Sequence, residues 1–250
     1  MGSPRQRLDV LLTERGLAPS RERARAVIMA GGVQVDGKLV DKPGAPVAPD
    51  CAIAILTPDL PYVSRGGLKL EGALAAFGLS VSGLACLDVG ASTGGFTDCL
   101  LQHGAAQVTA VDVGYGQLAW RLRQDPRVVV VERTNIRYMP ADRLPSAVDL
   151  VTIDASFISL RIVVPAVLKF LKPAGRILPL AKPQFEVGKG EVGKGGVVSD
   201  PAQHARVLGE LKRFFEGLEL DCSEAVPSPI DGPKGNREFF FLMRRRVPAG

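Results

Sequence analysis

The stretch Leu87-Asp88-Val89-Gly90-Ala91-Ser92-Thr93-Gly94-Gly95-Phe96-Thr97 constrains the fold of this chain more than any other. It follows an apolar strand signal and opens a helix, and its glycines let the backbone turn tightly and approach a ligand closely. The spacing is G-x-x-x-G-G, which departs from the G-x-G-x-x-G of a dinucleotide site. The next strand ends in Val111-Asp112-Val113, where a carboxylate can take both ribose hydroxyls of an adenosine. Together these fit S-adenosylmethionine better than NAD. The ligand then needs no pyrophosphate cradle, and nearby carboxylates tolerate its sulfonium charge. A glycine turn that served only strand–helix packing would not require Asp112.

Around this loop, apolar strand and amphipathic helix patterns alternate. Strands are expected at Ala85–Val89, Val108–Val113, Val128–Val131, Leu150–Ile153 and Arg176–Leu180. Helices are expected at 66–77, Gly95–Gln102, Gln117–Leu122, Ser159–Leu171 and Pro201–Phe215. Two closing strands, about Leu218–Ala225 and Glu238–Met243, are joined by a Pro/Gly loop, which makes the last one antiparallel. This order predicts an α/β fold: an open, mostly parallel sheet with helices on both faces and a ligand at the carboxyl ends of the strands.

Residues 5–57 read differently, as a small unit. Leu8, Leu11 and Leu12 lie at helical spacing, Ser20 suits an N-cap, and Ala24, Val27 and Ile28 line a second helix. Val33-Gln34-Val35 alternates, Asp36-Gly37 signals a tight hairpin, and a further strand is expected at Ala52–Leu56. Two helices and a small hairpin make too little core for an enzyme and suit an appended α+β binding module. The proline-bounded Thr57-Pro58-Asp59-Leu60-Pro61 sets the divisions at 1–59, a linker at 60–64, and 65–250.

With 46% apolar residues the chain can bury a sizeable core. The longest apolar run, 162–168, contains Pro165 and falls far short of the ~20 residues of a membrane span. The opening Met-Gly-Ser-Pro-Arg-Gln-Arg leads into no apolar signal region, so no export is expected. Cys51, Cys86, Cys99 and Cys222 show no CxxC spacing, and His103 and His204 are the only histidines. No metal site is expected, and the cysteines read as reduced residues of a cytoplasmic protein. The net charge of +5 is modest evidence for a polyanionic partner, so local clusters must carry that case.

One cluster is Arg5, Arg7, Arg15, Arg21, Arg23 and Arg25 on the polar sides of the first two helices. Singly each reads as a solvated helix face. As a group leading into a VxVDGK hairpin, within RLDVLLTERGLAPSRERARAVIMAGGVQVDGK, they resemble the small RNA-binding domain of ribosomal protein S-four. That resemblance implies phosphate contacts to structured RNA. A phosphate-loop likeness at Gly188 to Lys194 fails, since Gly195 stands where Ser or Thr is needed. Residues 183–198 read instead as a mobile loop over the site, with Lys189 and Lys194 either solvated or on RNA phosphates.

Four charged residues stand at matching places: Lys69 on the helix before the first sheet strand, Asp154 and Lys182 at the ends of the fourth and fifth strands, and Glu238 at the start of the last. A lone charge at a strand end is ordinarily a solvated cap. Four that converge on one rim can take a proton from a weakly acidic hydroxyl and hold the oxyanion. With DVGASTGGFTDCLL, VTIDASFISL, LAKPQFE and GNREFFF, this set resembles the FtsJ-like ribose methyltransferases, and over essentially the whole chain the TlyA family, also labelled haemolysin.

The resemblance implies a Rossmann-like class I S-adenosylmethionine-dependent methyltransferase sheet, with a Lys69-Asp154-Lys182-Glu238 tetrad as the catalytic set. It implies 2′-O-methylation of cytidine in 16S or 23S ribosomal RNA within ribosomal subunits. The expected cofactor-binding residues are Asp88, Gly90, Ala91, Ser92, Gly94, Gly95, Phe96, Thr97, Asp112, Val113, Asn135 and Asp154. The expected RNA-binding residues are Arg5, Arg7, Arg21, Arg23, Arg65, Phe157 and Lys189. Phe157 reads either as a stacking platform for an extruded base or as core. Competing readings are a small-molecule or protein methyltransferase, a membrane-lysing protein, and a non-catalytic RNA-binding assembly factor.

Overall fold

The computed structural model describes residues 5–29, 31–56, 60–144, 146–188, 190–193 and 195–246. The chain divides into two compact units, Met1–Gly67 and Leu68–Gly250, so the division falls slightly beyond the linker expected at 60–64.

The first unit runs β1 (Gln6–Arg7), α1 (Leu8–Glu14), α2 (Arg21–Met29), β2 (Val33–Val35), β3 (Lys38–Leu39), β4 (Pro46–Val47) and β5 (Ile53–Ile55). Ser20 caps α2, its hydroxyl accepting the Arg23 amide at 3.1 Å. Asp36 and Gly37 both take positive φ, as a two-residue hairpin turn demands, and the register pairs Val35 with Lys38. Leu8, Leu11, Leu12, Ala24, Ile28 and Val33 form the core.

The second unit continues with α3 (Gly66–Ala76), β6 (Ala85–Val89), α4 (Gly95–Gln102), β7 (Gln107–Val111), α5 (Trp120–Arg123), β8 (Val128–Val131) and β9 (Val148–Ile153). It ends with α6 (Leu160–Val167), β10 (Leu171–Ala181), α7 (Pro183–Glu186), α8 (Pro201–Glu216), β11 (Leu220–Cys222), β12 (Val226–Pro227), β13 (Phe239–Phe240) and β14 (Met243–Arg245). The sheet order is β11-β14-β10-β9-β6-β7-β8, with β13 also on β10. Strands β6 to β10 pair in parallel; β13 and β14 pair antiparallel to β10. Alternation of side chains along each strand divides the core. Leu87, Val89, Val151, Ile153 and Ile177 meet α6 and α8 on one face. Asp88 and Thr152 face α4 through Thr97 on the other.

Three expected elements change. The helix expected at 117–122 shrinks to α5, because Ala119, with ψ 138°, is extended and caps a helix that starts only at Trp120. The helix expected through Leu171 ends at Val167, with Pro165 inside it, and Leu171 already belongs to β10. The strand expected at 238–243 is split into β13 and β14. Its register against β10 is continuous and sets Phe241 opposite Pro179, which has no N–H to give the ladder.

Candidate active site

The parallel strands change direction of succession between β6 and β9, the place where open α/β sheets bind ligands. There Gly90 turns at φ +83°, and a Cβ on it would lie 2.7 Å from the Asp154 carbonyl oxygen. The amide of Asp154 donates to Val89 O at 2.9 Å. The glycine is thus required by close packing of two strand ends. Ser92 takes φ +49° and its amide donates to Asp112 Oδ2 at 2.8 Å, while Gly114 N donates to Oδ1 at 2.6 Å. Asp112 therefore ties the loop after β6 to the loop after β7, and its carboxylate oxygens retain acceptor capacity for a ribose. Val113 is exposed; Asn135, half-buried after β8, accepts from the Arg137 amide at 3.1 Å.

Asp88, expected to meet the cofactor, does not face the site. It is 0% exposed, and its carboxylate accepts from Thr97 Oγ1 at 2.7 Å and Thr152 Oγ1 at 3.1 Å. Burial pushes this carboxyl up to about 7 against those bonds. Phe96 and Thr97 are buried as well, with Phe96 stacked 6.1 Å from Phe240. These three support the loop from below.

The four candidate catalytic residues resolve into two ion pairs. Lys69 Nζ lies 2.5 Å from Glu238 Oε2, and Lys182 Nζ lies 2.7 Å from Asp154 Oδ1. Both lysines are only 7% exposed, and Glu238 1%. The antiparallel register pairs Ala181 with Phe239, so one step further it sets Lys182 opposite Glu238. Helix α3 delivers Lys69 by close approach to the loop after β12: a Cβ on Gly72 would lie 2.6 Å from Pro229. Glu238 fits only because residue 232 has no side chain, since a Cβ there would sit 2.1 Å from Glu238 Oε1. Lys182 also donates to Ser156 Oγ at 2.9 Å, a partner the sequence did not single out. Its contact with Asp154 is ionic and off the hydrogen-bond direction. Asp154 Oδ1 and Glu238 Oε1 are buried acceptors without a hydrogen-bond donor among the described residues. Such acceptors at a strand-end site are suited to a substrate's donors.

Phe157 is 90% exposed, which removes the core-packing alternative. Its φ of +62° is a conformation that bulky side chains rarely adopt and that clusters at functional sites. Its ring lies 5.0 Å from that of Phe185, and Lys182 Nζ is 6.0 Å from the Phe185 ring. An aromatic platform thus borders the buried pair.

The arginines of the first unit divide by partner. Arg7 grips the buried Asp9 with two bonds of 2.9 Å, and Arg21 reaches the same carboxylate at 3.1 Å; both remain half exposed. Arg7 thereby holds the Asp9 carboxyl below the usual range. Arg23 takes a duty the sequence did not show: it donates to the carbonyls of Tyr62, at 3.1 Å, and Leu60, bracing the segment after the module. Arg5 is exposed and Arg65 half-buried. Lys189 and Lys194 lie outside the described residues. Described residues of the loop expected to be mobile are tied down. Asn236 accepts from Val198 N and donates to Gly196 O, both at 3.1 Å, and Lys234 donates to Gly195 O at 2.8 Å. Among the described residues no cluster suited to a metal is present, and no helix is long and apolar enough to cross a membrane. The four cysteines carry free thiols.

The strand order, with its antiparallel strand inserted beside β10, and the glycine turn at the switch point define the class I methyltransferase fold. The FtsJ-like methyltransferase family model matches residues 62–245 and the S4 domain model residues 6–50. The chain is 52% identical to a Bacillus subtilis protein named as a candidate rRNA methyltransferase, YqxC, over 97% of this chain and 87% of that one. It is 50% identical to the 16S/23S rRNA (cytidine-2′-O)-methyltransferase TlyA of Mycobacterium tuberculosis, over 97% and 91%. A solved structure from Streptococcus thermophilus, labelled a candidate hemolysin, superimposes with TM-score 0.77 at 43% identity over 97% of this chain and 89% of that one. The chain belongs to the FtsJ-like methyltransferases and, among them, to the TlyA family.

Proposed function

We propose that this protein transfers a methyl group from S-adenosylmethionine to the 2′-hydroxyl of a cytidine in 16S or 23S ribosomal RNA, acting on ribosomal subunits in the cytoplasm. The observation that carries the reading is the pairing of Lys182 with Asp154 and of Lys69 with Glu238, at the carboxyl edge of the sheet beside Gly90. The names of the relatives supply the substrate class.

The loop fits the cofactor: a Cβ-free Gly90 against Asp154 and a carboxylate at Asp112 leave room and charge for an adenosine and a sulfonium. Gly90, Ala91, Ser92, Gly94, Gly95, Asp112, Val113, Asn135 and Asp154 would hold it, and when bound it supplies an electrophilic methyl group. Lys182 would orient the ribose hydroxyl, and the Asp154 carboxylate paired with it, whose Oδ1 has no donor among the described residues, would take the hydroxyl proton. The ammonium stabilises the developing oxyanion. Lys69 and Glu238 fix the opposite wall, and Glu238 Oε1 remains free to accept from the ribose. Phe157 stacks on the extruded base, a common device of enzymes that act on buried nucleotides. Arg5, Arg7, Arg21 and Arg65 contact phosphates; Lys189 is a further candidate.

The test incubates the protein with unmethylated ribosomal subunits and tritiated S-adenosylmethionine, with Lys182→Ala alongside. Alkali-resistant label in the RNA that falls by at least about 100-fold in the variant, with cofactor binding retained, is expected. No label on either subunit with cofactor bound would favour a non-catalytic assembly role.

A further inference from the structure

Glu186 lies mostly buried between the two loops that carry Lys182 and Asp154. Its Oε2 accepts from Ser159 Oγ at 2.6 Å and its Oε1 accepts the Leu160 amide at 2.7 Å. Ser159 is the N-cap of α6, and its hydroxyl oxygen accepts the Arg161 amide at 3.1 Å. Glu186 closes α7, the short helix that Lys182 caps, whereas Ser159 and Leu160 end the loop that begins at Asp154. Both hydrogen bonds therefore join one loop to the other. Between them Phe185 packs on Phe157, and Lys182 Nζ crosses the same gap to both Asp154 and Ser156.

We propose that Glu186 is a positioning residue that locks the loop bearing Asp154, Ser156 and Phe157 to the loop bearing Lys182, so that ion pair and aromatic platform are set by one carboxylate. The proposal rests on the methyl-transfer reading above. A slide of either loop would draw the Lys182 amine away from both its partners, and a displacement of about 1 Å at a reacting group can cost about 100-fold in rate. Burial raises the Glu186 carboxyl above its ordinary range. A buried acid is costly to keep unless its bonds are made, and the two it makes both span the loops.

The test measures kcat, RNA KM and cofactor Kd for the full-length wild type, Glu186→Ala, Glu186→Gln and Ser159→Ala, on unmethylated subunits with tritiated S-adenosylmethionine. Glu186→Ala is expected to lose about 10- to 100-fold in kcat with cofactor Kd within about twofold. Glu186→Gln can still accept from Leu160 N–H and donate to Ser159 Oγ, so it should keep at least roughly a third of wild-type kcat, with Ser159→Ala between the two. A kcat within about threefold of wild type in Glu186→Ala, a loss confined to cofactor Kd, or a Gln variant as poor as Ala overturns the proposal. If Glu186→Ala does not fold, wild-type kcat in Ser159→Ala overturns it equally. An inactive wild type overturns the methyl-transfer reading and this proposal with it. An active wild type beside indifferent Glu186 variants overturns this proposal alone.

Discussion

Lys182 stands opposite Glu238 where the β10–β13 ladder ends, yet each takes its ion partner from elsewhere: Lys182 from Asp154, Glu238 from Lys69. Two neutral pairs side by side bury four charges more cheaply than four solitary ones, because each Coulomb gain offsets a desolvation cost. The site therefore depends on the position of each carboxylate as much as on its charge.

Gly232→Ala tests that dependence without touching a charged residue. The added Cβ would meet Glu238 Oε1 at 2.1 Å, while the backbone at residue 232 is not in the left-handed region. The fold should survive and the carboxylate should be displaced. We expect methylation to fall by about 100-fold with cofactor Kd unchanged; single-turnover labelling beside a melting curve decides it. Near-normal turnover would show that Glu238 need not hold its place.

Stability should depend on Asp88 in a direction unusual for an aspartate. Its carboxyl lies at about 7 in the folded protein against 3.8 in the unfolded chain, so the native state keeps a proton that the unfolded state releases. The stabilising contribution is therefore full below about pH 4 and is lost as pH rises towards 7, on the order of a few kcal/mol. Asp88→Asn should flatten this segment of a plot of melting temperature against pH. A variant with the same slope as wild type would assign the dependence to other groups.

Phe157→Gly separates stability from activity. The substitution releases a phenylalanine held at φ +62° and removes a ring that is 90% exposed. We expect stability to rise by about 1 kcal/mol, read by denaturant titration. Turnover on RNA should drop by roughly tenfold, from the loss of a base-stacking surface. A variant that is both more stable and fully active would remove Phe157 from the site.

The sequence was legible where the pattern was periodic or the turn chemistry singular. The strands at Ala85–Val89 and Val128–Val131 and the helix at Gly95–Gln102 stand where alternation and the glycine loop put them. It was less legible where a partner lies far along the chain. Pro179 breaks a strand that is read some sixty positions later, and only the register shows this. Asp88 sits in the glycine motif beside true loop residues, but strand alternation turns it to the α4 face, where Thr97 and Thr152 absorb it. Glu186 lies inside LAKPQFE, in the stretch 183–198 expected to be a mobile loop, whereas Pro183–Glu186 form α7. Its bonds to Ser159 and Leu160 are made across two loops and leave no periodic trace.

Asp9 has a consequence for the first unit that a count of arginines hides. Arg7 and Arg21 hold one carboxylate between them, so the trio carries a single net positive charge. A polyanion docking there would release counterions as though it had met one cation. The trio should then add about −0.7 to −0.9 to the slope of log affinity against log salt, where two free arginines would add twice that. The grip of this module on its partner is accordingly more tolerant of ionic strength than its composition implies.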